Sequence, residues 1–99
     1  MRERDVEQAL IRSVRKAGGL CLKFVSPGWA GAPDRICLWP GGRAAFVELK
    51  APGKKPRPLQ EARHRQLERM GFPVCVIDRK EMIPETLQKI AKSGGGGDA

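Results

Sequence analysis

Val6, Leu10, Ile11, Val14 and Ala17 recur at intervals that line one side of an α-helix, and Gly18-Gly19 interrupts the pattern, so residues 4–17 are predicted to form an amphipathic helix. Its other side carries Arg12, Arg15 and Lys16. The period then shortens to two: Leu20, Leu22 and Phe24 share one side of an extended segment over 20–25, which Ser26-Pro27-Gly28 ends. Residues 26–33 are rich in Gly and Pro and hold Trp29, which predicts a shaped loop. Two apolar-rich runs, 35–39 and 44–50, flank Pro40-Gly41-Gly42-Arg43, the signature of a β-hairpin.

The stretch 51–58 contains Pro52, Pro56 and Pro58, which deny it a hydrogen-bonded ladder, and its charges, Lys54, Lys55 and Arg57, are all positive. It is predicted to be a basic loop. A helix should follow, started by Pro58, lined by Leu59, Ala62, Leu67 and Met70, and closed by Gly71. The continuous apolar run 72–77 predicts a strand buried on both faces. Asp78 with Glu81 resembles a capping box ahead of a last helix over 84–92, in which Leu87, Ile90 and Ala91 share a side. The order αβββαβα makes this an α/β chain with a sheet of about four strands. The glycine-rich end, 93–99, is expected to be a mobile tail beyond a single domain over 1–92.

Composition narrows the function classes. A chain of 99 residues builds one modest core. No apolar run approaches the roughly 20 residues that cross a bilayer, and no apolar leader follows Met1, so a soluble cytoplasmic protein without a membrane role is expected. Cys21, Cys37 and Cys75 fall singly in three apolar runs, a spacing that suits reduced buried thiols and neither zinc nor a disulfide framework. A net charge of +8 attracts polyanions, which makes nucleic acid the leading partner. A non-catalytic nucleic-acid-binding module would carry the same charge, so charge alone does not identify chemistry.

The chemistry comes from Pro33-Asp34 at the head of one hairpin strand and Glu48-Leu49-Lys50 at the end of the other. Strand side chains alternate, so Glu48 and Lys50 point the same way. Carboxylate oxygens suit Mg²⁺ or Mn²⁺, and a nearby lysine can stabilise the charge that gathers on a phosphodiester under attack. Register sets a condition: an even hairpin loop would put Asp34 across from Leu49 and off the Glu48 face, whereas an odd loop or a bulge would bring the acids together. The remaining acids all fall on predicted helices or chain ends, so a strand acid in so basic a chain asks for a reason. His64, the only histidine, lies between Arg63 and Arg65 without a His or Cys partner, and no metal or general-base role is expected of it.

These residues, from Lys23-Phe24-Val25-Ser26-Pro27-Gly28-Trp29-Ala30-Gly31-Ala32-Pro33-Asp34-Arg35 through Phe46-Val47-Glu48-Leu49-Lys50 to Gln60, resemble the VRR-NUC (virus-type replication and repair) nucleases. That family belongs to the restriction-endonuclease-like PD-(D/E)xK superfamily, and the resemblance covers roughly residues 3–78. It implies a central mixed sheet flanked by helices, with Glu7, Asp34 and Glu48 as metal ligands, Lys50 as the catalytic lysine and Gln60 as the motif glutamine. The residue two before that glutamine, often Ser or Thr in relatives, is Pro58 here, which alters the local cap. The resemblance further implies a Mg²⁺- or Mn²⁺-dependent endonuclease acting on branched DNA such as four-way (Holliday) junctions, working as a homodimer without a nucleotide cofactor. Small stand-alone members are of phage, prophage or bacterial type. Lys54, Lys55 and Arg57 are placed to clamp the phosphate backbone, with Lys23 aimed at the same phosphate.

Overall fold

The computed structural model describes residues 2–93. The elements are α1 (Glu3–Lys16), β1 (Leu20–Lys23), β2 (Arg35–Trp39), β3 (Arg43–Leu49), α2 (Pro58–Arg69), β4 (Val74–Ile77), a 3-10 turn (Lys80–Met82) and α3 (Ile83–Ser93). This is the expected αβββαβα order. Ser93 ends α3 instead of opening the tail, and residues 94–99 of the expected tail lie outside the described residues. Among the described residues no helix is long and apolar enough to cross a membrane.

The sheet order is β1-β2-β3-β4. The first two pairings are antiparallel, while β3 and β4 run parallel across α2, so the sheet is mixed. Cys21, Cys37, Val47, Leu49 and Ile77 occupy one face and form the core with Val6, Leu10 and Val14 of α1 and Ile83 of α3. Three apolar residues spaced four apart explain the seat of α1: they stack on one side of the helix and are all fully buried. Trp39 packs against this cluster, as a core residue should. All three thiols are free, with Cys21 and Cys37 buried and Cys75 half-buried.

The opposite face is covered mainly by α2, and several apolar expectations fail there. β1 buries only Cys21, and the Leu20 and Leu22 side of the strand is open at 57% and 43% exposure. The reason is that α1 and α3 both pack on the Cys21 face. α2 buries His64 and Leu67, leaving Leu59 and Met70 exposed, so its predicted stripe is only partly met. β4 was expected to be buried on both faces, but it is an edge strand in which only Ile77 is fully buried. An unbroken apolar run reads the same whether a strand is interior or lies at an edge between two helices.

The hairpin decides the register. Trp39 pairs with Arg43, leaving Pro40, Gly41 and Gly42 as a loop of odd length. Gly41 at φ 90° and Gly42 at φ 79° adopt the left-handed conformation that only glycine takes without strain. Further along the ladder Ile36 opposes Phe46 and Arg35 opposes Val47. The next step places Asp34 across from Glu48 on the same face, which meets the condition that an even loop would have broken.

Candidate active site

Asp34 stands where the loop 26–33 turns into β2. Pro33 is fully buried just before it, and the Asp34 carbonyl accepts from the Phe24 amide at 2.9 Å, so the backbone is held on both sides. Its Oδ2 accepts from the Leu49 amide at 2.7 Å, which docks the carboxylate on β3 beside Glu48. Gly31 lets the loop approach α2: at φ 85°, a Cβ there would sit 2.9 Å from Leu59 Cγ. Arg63 of α2 completes the contact, with Nε donating to the Ala30 carbonyl at 2.8 Å and the guanidinium 5.0 Å from the Trp29 ring. Trp29 is therefore a local plug between loop and helix.

Glu48, only 1% exposed, is gripped from α2. Gln60 Nε2 donates to Glu48 Oε2 at 3.2 Å, and His64 Nε2 lies 3.2 Å from Oε1. Gln60 is held in turn, because its Oε1 accepts from the Arg57 amide at 2.8 Å. It thereby supplies the side-chain cap that Pro58 at the first helical position cannot. Lys50 Nζ lies 3.9 Å from Glu48 Oε2, and the Lys50 amide donates to the Ile77 carbonyl, fixing the end of β3.

Burial pushes the Glu48 carboxyl up to about 8, the neighbouring Asp34 carboxyl adds to the rise by hydrogen bonding and by charge, and Lys50 works against it. Glu3 of α1 contributes a further repulsion. Burial also pushes His64 below its usual range, against the pull of Glu68, Glu61 and Asp34, so the imidazole is neutral near pH 7. A buried Glu48 carboxyl that holds its proton near neutrality beside a second carboxylate forms a site where a hard divalent cation can take the proton's place and remove the repulsion. The donors are oxygens and fit Mg²⁺ or Mn²⁺. They number two, since among the described residues no three acidic, His or Cys side chains gather into a metal-binding group.

Asp34, Glu48, Lys50 and Gln60 come together as expected, but Glu7 does not join them. Its Oε2 accepts from Arg35 Nη2 at 2.7 Å and Nε at 3.2 Å, and Arg35 shares the Val47 face that α1 covers. Lys23 pairs with Arg35 in the β1–β2 ladder and so lies on that face too, opposite Glu48. Alternation along a strand decides both outcomes. Lys54, Lys55 and Arg57 are exposed on the loop between β3 and α2. Asp78 caps no helix: its Oδ2 accepts from the Gly53 amide at 3.1 Å and its Oδ1 from Arg79 Nε, so it ties that basic loop to the end of β4.

His64, of which no metal or general-base role is expected, contacts Glu48, and Glu3, otherwise one of the helix acids, acts on it by charge; neither link was anticipated. A signal existed for His64, since positions four apart on a helix share a side and Gln60 had already been singled out. For Glu3 the signal was ambiguous, because Glu3 and Glu7 are themselves four apart.

No protein-family model matches the chain. Over 82 residues it is 46% identical to the protein named "Putative nuclease p44" from Acyrthosiphon pisum secondary endosymbiont phage 1, a match spanning 83% of this chain and 88% of that protein. A solved structure described as "VRR_NUC domain" superposes with a TM-score of 0.80 at 29% identity, covering 87% of this chain and 94% of the other.

Proposed function

Because the chain belongs to the VRR-NUC family of nucleases, we propose that it is a metal-dependent endonuclease that hydrolyses phosphodiester bonds in branched DNA, four-way junctions among them. One observation carries the reading: Asp34 is docked on the Leu49 amide beside Glu48, and Lys50 follows two residues on along the same strand face. Mg²⁺ or Mn²⁺ at this pair would activate water and neutralise charge on the phosphate. Asp34 and Glu48 would hold the ion, and Gln60 orients the Glu48 carboxylate. Lys50 would stabilise the charge developing on the phosphate oxygens, with the product keeping a 5′-phosphate. Glu7, expected as a third ligand, is engaged by Arg35, and the reading rests on the other two carboxylates.

Lys54, Lys55 and Arg57 would bind the DNA backbone beside the cut, a use that suits exposed cations on a loop joining β3 to α2. We further propose a homodimer. Its support is the apolar face of β1 and β2, where Leu20 and Leu22 lie beside Leu38 and Ile36 and pass into Phe24, Phe46 and Phe72, which stack edge to face. A second copy is the occupant that suits an uncharged patch on a protein of net charge +8, because polyanions would bind elsewhere. Two active sites related by a two-fold axis can cut two strands.

The test is incubation of the protein with labelled four-way junction, flap, duplex and single-stranded DNA in Mg²⁺, Mn²⁺ or EDTA, beside Glu48→Ala. Metal-dependent cutting of branched substrates that the variant lacks is expected. Intact substrates with salt-sensitive binding would make the chain a binding module instead.

A further inference from the structure

Glu48 has two oxygens, and α2 presents one donor to each. Gln60 addresses Oε2 and His64 addresses Oε1, both at 3.2 Å and from positions one helical turn apart. Once Glu48 is ionised its oxygens can only accept, so the contact requires the His64 tautomer with the proton on Nε2. His64 is 8% exposed in a helix turn whose hydrophobic burial is already supplied by Leu67. A polar ring in that place, where an aliphatic residue would pack at less desolvation cost, is accounted for by its partner.

We infer that His64 is a positioning residue for metal binding: with Gln60 it clamps the Glu48 carboxylate from the helix side, leaving the outward lone pairs of both oxygens toward Asp34 and the ion. Each donor alone would let the carboxylate pivot about the other bond, whereas the two together set its plane. Lys50, 3.9 Å from Oε2, is too distant to do this, and Asp34 repels. The assignment rests on the metal-dependent reading above. It extends that reading to a residue that touches neither ion nor DNA, and it explains why a histidine serves here without acting as ligand or base. Partners of this kind typically contribute 10- to 100-fold in metal affinity.

The experiment measures Mn²⁺ binding by calorimetry, and the Mn²⁺ concentration giving half-maximal junction cleavage, for the parent protein, His64→Leu and His64→Gln. Gln places an Nε2 donor close to the position of the imidazole Nε2. Thermal unfolding in EDTA reports whether each variant folds. The expected result is a 10- to 100-fold weaker Mn²⁺ affinity in His64→Leu, with cleavage recovering as Mn²⁺ is raised, and a return to within about threefold of the parent in His64→Gln. Parental affinity in a folded His64→Leu, with the parent itself binding Mn²⁺ and cutting, would overturn the role of His64 and leave the nuclease reading standing. A His64→Gln as weak as His64→Leu would likewise overturn it, since packing alone would then account for the loss. A parent protein that neither binds Mn²⁺ nor cuts would remove both.

Discussion

Asp34 and Glu48 face each other across the β2–β3 ladder, one step beyond the Arg35–Val47 pair, and Asp34 secures its place by accepting the Leu49 amide at 2.7 Å. Everything chemical about the site depends on that opposition. It brings two carboxylates together in a setting that resists the charge of Glu48, and it leaves Lys50 on the same side.

Glu48→Gln keeps the volume and one of the two α2 contacts while removing the charge that a cation needs. Cleavage should vanish, and calorimetric Mn²⁺ binding with it, while salt-dependent DNA binding persists because the basic loop is untouched. Lys50→Ala should retain Mn²⁺ binding and lose about 10²- to 10³-fold in the single-turnover cleavage rate.

The pH dependence of stability follows from the raised Glu48 carboxyl. In the unfolded chain Glu48 releases its proton near the ordinary 4.5, whereas the folded protein retains it to about 8. Between those values the folded state binds more protons, so the stability of the metal-free protein is full below pH 4.5 and declines as pH rises toward 8, at up to about 1.4 kcal/mol per pH unit. Melting temperatures in EDTA across this window should fall more for the parent than for Glu48→Gln. Mn²⁺ should reverse the fall, releasing up to about one proton near pH 7, seen as a buffer-dependent binding enthalpy.

Glu7→Gln separates a structural from a catalytic role. Its carboxylate is committed to Arg35, which is itself half-buried. The variant should lose about 1–3 kcal/mol of unfolding stability and keep its Mn²⁺ affinity within a few fold. A hundredfold loss of affinity in a folded Glu7→Gln would return Glu7 to the metal.

The hairpin carries the register, so its glycines matter beyond the turn. Gly42→Ala, at φ 79°, should cost about 1 kcal/mol in urea unfolding with cleavage largely retained. Deleting Gly42 makes the loop even and should cost cleavage outright, because Asp34 would leave the Glu48 face.

The proposed dimer predicts that Leu22→Lys, on the open side of β1, yields a folded monomer in sedimentation analysis while leaving the thermal transition nearly in place. A parent protein that sediments as a monomer at micromolar concentration would dispose of the homodimer.

Much of the fold was legible in the residues alone because helix and strand periods are local. The stripe Val6, Leu10 and Val14, the alternation after Gly19, the prolines of 51–58 and the glycines of the hairpin each act over a few positions. From these came the element order, the hairpin and the shared direction of Glu48 and Lys50. The tertiary structure decided what depends on distant partners. It chose the three-residue loop and hence the opposition of Asp34 and Glu48, gave Glu7 to Arg35, sent Lys23 to the far face, and left Leu20 and Leu22 open by packing α1 and α3 together on the other side. It also turned His64 inward onto Glu48. Each of these turns on a one-residue parity or on which helix covers which face, and neither is encoded in the period of any single segment.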